Sequence, residues 1–323
     1  MSTVFIGTNE FAAAVLKRLA RSDVHRPALV ITRPDRPSGR GRRLTSPPVA
    51  ETARALAVAL KQPQNVNDPQ SRALISGALG SVVAGDARTV VVCAFGALIK
   101  EPLLSEHEIL NVHPSLLPRW RGAAPIERAI MAGDVRTGVS IMRLTAGLDS
   151  GPVCLAGEEP IRPEDTYGSL AARLQALGGE LLVRALEEAP PFVEQPEEGV
   201  TYAEKLTAAD RALDPARPAV ELERVVRALH PHVGARVALA DGTWLGVHRA
   251  ALLDDAPETL ATSAPAQGGP DAEQGGLGPR ERDGQLLLDC SPGTLELLVV
   301  QPPGGRAMDA SAYLRGHTPR GMP

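Results

Sequence analysis

The chain has 323 residues and a formal net charge of −4 at pH 7; it is 43% hydrophobic and 22% charged. At roughly 150 residues per domain that length implies two domains, and the apolar fraction excludes wholesale disorder. The longest apolar run, Val90 to Ile99, is about half what a bilayer needs, and Met1-Ser2-Thr3-Val4-Phe5-Ile6-Gly7 lacks the basic segment of a signal peptide, so neither membrane insertion nor export is expected.

The cysteines Cys93, Cys154 and Cys290 are few, odd in number and far apart. That pattern excludes a disulfide scaffold and a Cys-x-x-Cys metal clamp, and a reduced, cytoplasmic compartment is expected. Lysine occurs only at Lys17, Lys61, Lys100 and Lys205. The arginine-rich balance reads as compositional bias.

Val4-Phe5-Ile6 predicts a short buried strand, followed by a helix with Phe11, Val15, Leu16 and Leu19 on one face. Gly7-Thr8-Asn9-Glu10-Phe11 lacks the glycine spacing of a dinucleotide site. Residues 28–31 predict a second strand, and Val49, Ala53, Leu56 and Leu60 a second helix. Val90 to Phe95 has the continuous apolar character of a central parallel strand buried on both faces. A strand over 109–112, a helix over 124–131, a pair of strands near 138–144 and 153–161, and a long helix over 166–188 follow. Strands alternating with helices predict an α/β domain built on a doubly wound, mostly parallel sheet.

Between the first two helices the near-neutral total conceals a basic loop. Arg33, Arg36, Arg40, Arg42 and Arg43 stand with one acid, Asp35. Pro34, Pro37, Gly39 and Gly41 argue against a regular helix or strand there. Either a solvated surface or an anion-binding loop fits this pattern.

The proline- and glutamate-rich stretch Ala189 to Gly199 predicts an extended linker. Beyond it, a helix near 220–229 gives way to short strands. Asp241-Gly242 between two apolar runs signals a hairpin, and a small β-barrel is expected. Residues 257–284 are acidic and low in complexity, and are expected to form a mobile loop.

The chemistry-bearing block is Asn111-Val112-His113-Pro114-Ser115-Leu116-Leu117-Pro118-Arg119-Trp120-Arg121-Gly122-Ala123-Ala124-Pro125-Ile126. An amide, an imidazole and a hydroxyl leave the C-terminal end of a strand, where open α/β sheets bind ligands. Asn111 and His113, two apart, point to one side of an extended segment. Such a pair suits a reaction with an oxyanion intermediate, although an Asn-x-His pair alone is more often structural. Gly147-Leu148-Asp149-Ser150-Gly151 supplies a carboxylate. An isolated Asp in a glycine turn is usually an Asx cap; within reach of His113 it would orient the ring and favour its charged form.

Together these blocks closely resemble the folate-dependent formyltransferase family. The resemblance extends to Pro34-Asp35-Arg36-Pro37-Ser38-Gly39-Arg40-Gly41, to Val200-Thr201-Tyr202-Ala203-Glu204-Lys205-Leu206, and to Gln301-Pro302-Pro303-Gly304-Gly305-Arg306-Ala307-Met308, and so spans nearly the whole chain. It implies transfer of a formyl group from 10-formyltetrahydrofolate to the α-amino group of methionine on initiator tRNA. Asn111, His113 and Asp149 fall on the family's catalytic positions, and Ser115, Leu116, Leu117 and Pro118 on its folate-binding stretch. The strand end carrying Phe95, Gly96 and Ala97 resembles the wall of the pterin pocket. Arg36, Arg40, Arg42 and Arg43 fall on the loop that enters the tRNA acceptor end. The implied organisation is a catalytic domain over 1–189, a linker over 190–206 and an OB-like, tRNA-binding barrel over 207–323. A monomer with no metal and no membrane partner is expected.

Three features depart from the pattern: residues 77–88 align to no landmark, the 257–284 insertion is acidic, and the rest of the C-terminal region is not strongly basic. The same fold could formylate a small amine, but such an acceptor needs neither the arginine loop nor a separate barrel. A non-catalytic RNA-binding relic would be expected to have lost Asn111, His113 or Asp149, and all three are present.

Overall fold

The computed structural model describes residues 2–38, 43–80, 88–253 and 278–316, which divide into two compact units. The first comprises Met1–Ala129, Val135–Arg162 and Ser169–Lys205; the second comprises Ile130–Asp134, Pro163–Gly168 and Leu206–Pro323. No helix among the described residues is long and apolar enough to cross a membrane.

In the first unit the order is β1 (Ser2–Gly7), α1 (Glu10–Leu19), β2 (Pro27–Ile31), β3 (Arg36–Ser38), β4 (Arg43–Thr45), α2 (Pro48–Ala55), β5 (Leu60–Lys61), α3 (Pro69–Leu79), β6 (Arg88–Cys93) and α4 (Leu103–Glu106). Then come β7 (Ile109–His113), β8 (Arg121–Gly122), α5 (Pro125–Ala132, of which 125–129 belong to this unit), β9 (Arg136–Arg143), β10 (Val153–Pro160), α6 (Tyr167–Glu188, of which 169–188 belong to it) and β11 (Tyr202–Ala203). Seven strands form one sheet in the order β10-β9-β7-β6-β1-β2-β5. From β7 to β5 the pairings are parallel, and β9 and β10 add on antiparallel. This is the mostly parallel, doubly wound sheet expected from the strand–helix alternation. Val4, Phe5, Ile6, Val90 and Val91 have no exposed surface, as strands covered on both faces require.

Asn9 caps α1, its side chain accepting a 3.1 Å hydrogen bond from the amide of Ala12. The turn after β1 is thus built around a helix cap.

Two expectations are corrected. Leu60 leaves the helical register and pairs with Val30 in the edge strand β5, because α2 ends at Ala55 and the chain turns back. The basic loop, expected to be irregular, contains a short antiparallel ladder: Arg36 pairs with Thr45, Pro37 with Leu44 and Ser38 with Arg43. Proline is tolerated on an edge strand, where no N–H need be donated to a neighbour. Arg40 and Arg42 lie outside the described residues.

Of residues 190–206, read in sequence as a linker, those up to 205 belong to the first unit and are tied into it. Val193 exchanges hydrogen bonds of 2.8 and 2.9 Å with Val153, and β11 runs parallel to β8.

The second unit contains α7 (Ala219–Leu229), β12 (Ala235–Ala238), β13 (Trp244–Leu252), β14 (Arg280–Arg282), β15 (Gln285–Asp289), β16 (Thr294–Gln301), β17 (Met308–Asp309) and α8 (Ala310–Gly316). The strands form an antiparallel sheet ordered β12-β13-β16-β15-β14, with β17 also on β16. Leu222, Val225, Val226 and Leu229 of α7 pack with Leu245, Val247, Leu295, Leu297 and Val300. The hairpin turn is the expected one: Gly242 has φ +79°, and the Asp241 carboxylate accepts hydrogen bonds from the amide and hydroxyl of Thr243. The sheet curls so far that a Cβ at Gly278 would lie 3.3 Å from the carbonyl of Ala238, yet no ladder joins the edge strands β12 and β14 among the described residues. The curled antiparallel sheet agrees with the OB-like barrel expected of this region. Of the low-complexity insertion, residues 254–277 lie outside the described residues, and its end forms β14.

Candidate active site

β7 is the strand at which the sheet changes direction, parallel to β6 on one side and antiparallel to β9 on the other. Its last residues carry Asn111 and His113, which are 8% and 4% exposed. Val112 between them faces α6, where a Cβ at Gly178 would touch it. Strand alternation therefore puts Asn111 and His113 together on the opposite face. Among the described residues the Asn111 side chain has no hydrogen bond, and its amide is available to a ligand.

The His113 ring is held at one nitrogen and faced by a carboxylate at the other. Nε2 lies 2.9 Å from the carbonyl oxygen of Trp120, and Nδ1 lies 3.7 Å from Oδ2 of Asp149. A carbonyl can only accept, so Nε2 carries a proton and Nδ1 is the nitrogen that can exchange one. Asp149 has φ +44°, in the left-handed region that asparagine and aspartate tolerate best among residues with a side chain. The main-chain amide of Gly122 donates to its Oδ2 at 2.8 Å. Gly151 must be glycine, because a Cβ there would run into the carbonyl of Arg143. The structure thus brings Asn111, His113 and Asp149 to one place, and the Asp149 turn is more than an Asx cap.

Sequence reasoning missed the groups that support this set. Thr201 Oγ1 accepts from the Trp120 amide at 2.9 Å, and Thr201 O accepts from the Arg121 amide at 2.9 Å. Ala203 O accepts from the amides of Ala123 and Ala124 at 2.8 and 3.2 Å. Gly122, at φ +126°, has no room for a Cβ, which would lie 2.6 Å from Ala203 O. The only signal of this strap was the Thr201-Tyr202-Ala203 block itself.

The residues expected to hold folate form two turns. Phe95 is buried and its carbonyl accepts from Thr8 Oγ1 at 2.8 Å; Gly96 and Ala97 are exposed. Arg33, at the base of the basic loop, donates to Gly96 O at 2.8 Å. Ser115 is fully buried, and its hydroxyl donates to Arg119 O at 2.6 Å. Its carbonyl accepts from Ser140 Oγ, which in turn accepts from the Leu117 amide. Ser115 therefore shapes the turn that presents Leu116, Leu117 and Pro118, all partly exposed. A cavity of about 220 Å³ is lined by Leu117 and by residues 153–156 and 193–196; Phe95, Gly96 and Ala97 are not among its walls. Of the four basic-loop candidates, Arg36 is exposed on β3, Arg43 is described by its backbone in β4, and Arg40 and Arg42 lie outside the described residues.

An open α/β sheet presenting an amide, an imidazole and a carboxylate at the end of its switch strand offers the groups that acyl-group transfer through an oxyanion would use. Comparison with known proteins narrows the class. The family profile for "Formyl transferase" matches residues 1–186, and that for "Formyl transferase, C-terminal domain" matches residues 205–318. A methionyl-tRNA formyltransferase of Halorhodospira halophila is 40% identical over 97% of this chain and 95% of its own length. One from Ruegeria pomeroyi is 39% identical over 98% of this chain and 97% of its own. Among solved structures, an N-formyltransferase from Helicobacter canadensis, in complex with folinic acid and dTDP-3-aminofucose, is similar at a TM-score of 0.61 and 13% identity, covering 91% of this chain and 98% of that one. The chain belongs to the formyl transferase family and is a one-carbon transferase.

Proposed function

We propose that the chain formylates the α-amino group of methionine esterified to initiator tRNA, with 10-formyltetrahydrofolate as the donor, giving N-formylmethionyl-tRNA for translation initiation. The observation that carries this reading is the approach of Asp149 to His113 beside the unengaged amide of Asn111, in a chain about 40% identical over nearly its full length to methionyl-tRNA formyltransferases. The donor set fits a formyl group: a buried amide without a side-chain partner supplies an N–H for a carbonyl oxygen that gains charge.

In this mechanism the methionyl amine attacks the formyl carbon. A new C–N bond forms and negative charge gathers on the formyl oxygen, where Asn111 donates a hydrogen bond. His113, with Nε2–H committed to Trp120 O, works through Nδ1. Asp149 faces that atom and holds the proton released by the attacking nitrogen. The proton passes to the folate nitrogen as its C–N bond to the formyl carbon breaks. No step uses a metal.

The Phe95-Gly96-Ala97 turn and the Ser115-Leu116-Leu117-Pro118 turn are assigned to folate. Arg36, Arg40, Arg42 and Arg43 are assigned to the tRNA acceptor end. Residues 1–189 carry catalysis, 207–323 contribute to tRNA binding, and 190–206 join them. The protein acts as a cytoplasmic monomer.

Mass spectrometry of methionyl-tRNA incubated with enzyme and donor tests the reading. The expected product is methionine carrying one formyl group. Formylation of small amines with none on charged tRNA would overturn the acceptor assignment.

A further inference from the structure

Between α6 and β11 the chain is rich in proline and glutamate, and Glu194 and Pro196 are exposed. Gln195 between them is turned inward and half-buried. Its Nε2 donates two hydrogen bonds, 2.8 Å to the main-chain carbonyl of Asp149 and 2.7 Å to that of Gly151. Its Oε1 accepts from Nε of Arg121 at 3.0 Å. Two carbonyl acceptors on one side and a guanidinium donor on the other fix the orientation of the amide.

These hydrogen bonds close a ring around the Asp149 turn. Gln195 grips its main chain from one side, while Gly122, next to Arg121, grips the carboxylate at 2.8 Å. Val193 is paired with Val153, and Thr201 is tied to Trp120 and Arg121, so the strap is anchored on both sides of Gln195. The turn it holds contains Asp149 in the left-handed region and Gly151 pressed against Arg143. Such a conformation persists only where its surroundings over-determine it.

We propose that Gln195 is a positioning residue for the transfer reaction: it locks the Asp149 turn so that the carboxylate faces Nδ1 of His113. The proposal rests on the reading of Asp149 as part of the catalytic set. It assigns to a residue in an apparent linker a role in kcat and none in substrate binding.

The test is a double-mutant cycle between Gln195→Met, which keeps side-chain length without donors, and Asp149→Asn. Gln195→Met alone should lower kcat roughly 10- to 100-fold, the scale of an ångström-level misplacement of a reacting group. KM for tRNA and for the folate donor should stay within about twofold, since uniform binding is untouched. In the Asp149→Asn background the same change should cost less than about threefold, because residues acting as a unit are non-additive. Wild-type kcat in Gln195→Met, or a full multiplicative loss in the double variant, overturns the proposal. Wild-type turnover in Asp149→Asn with charged tRNA still formylated overturns it too, and the role of Asp149 with it, while leaving the reaction itself standing. Should Gln195→Met fail to fold, Gln195→Glu serves: it keeps the acceptor for Arg121, cannot donate to either carbonyl, and should show the same kcat loss. Wild-type kcat in that variant overturns the proposal.

Discussion

His113 Nδ1 lies 3.7 Å from Asp149 Oδ2, although the two residues stand in separate sequence blocks with α5 and β9 between them. β7 delivers the imidazole and the turn after β9 delivers the carboxylate. The Trp120 carbonyl sets which nitrogen of the ring meets it.

From this arrangement, replacing Asn111 by Ala should lower turnover by roughly 10²–10³-fold, the usual loss for an oxyanion donor. His113→Ala should cost at least about 10²-fold, by the scale of general acid–base catalysis. Single-turnover kinetics with charged tRNA measures both, and tRNA affinity should be little changed. Near-normal turnover in either variant would reduce that residue to a packing role.

The turns proposed to hold folate should respond to ligand. Adding a folate analogue is expected to slow hydrogen exchange at Phe95-Gly96-Ala97 and Ser115-Leu116-Leu117-Pro118. The physical reason is that a flat heterocycle with hydrogen-bonding edges suits an apolar strand end beside a polar turn. Protection confined to residues beyond Thr201 would move the folate site elsewhere.

For the basic loop the readout is salt. Replacing Arg36, Arg40 and Arg42 by Ala should weaken use of charged tRNA and flatten its salt dependence, by roughly 0.7–0.9 in log–log slope for each phosphate left unneutralised. Donor affinity should not change. Equal slopes in wild type and variant would make the loop a solvated surface.

His25 gives the first unit an acid weakness. It is buried, both ring nitrogens lack hydrogen-bond partners, and burial holds its imidazole below the ordinary value, with Glu187 partly opposing. The unfolded chain binds this proton near pH 6.5 while the folded one resists it, so stability is full above about that pH and falls as the pH drops further. His25→Leu should flatten the decline of Tm from about pH 7 to pH 5. Parallel Tm curves for wild type and variant would show that His25 does not drive the decline.

The doubly wound sheet was legible because its strands are continuous apolar runs and its helices repeat near every third or fourth residue. The short ladder of β3 and β4 was not. Three residues a strand with Pro37 among them leave no periodic trace, and only the main-chain pairing reveals it. Leu60 was misread as helical because a lone apolar residue spaced four from Leu56 fits a helix as well as an edge strand. Strand curvature is set by the whole sheet, so how far the barrel-like sheet closes was not legible in the short strands that announced it.

At the site, the sequence by itself determined the proposed reacting groups: the amide, imidazole and carboxylate are residue types with few substitutes, in blocks specific enough to recognise. Only the tertiary structure decided how they are held. The Trp120 carbonyl, the Gly122 amide and the carbonyls of Asp149 and Gly151 are main-chain atoms, which every residue carries. No residue type announces them, and they acquire a function only when distant segments fold against each other. Gln195 shows the same limit for a side chain. In sequence it is one polar residue in an exposed stretch; in the fold its two donors and one acceptor meet the turn that carries Asp149.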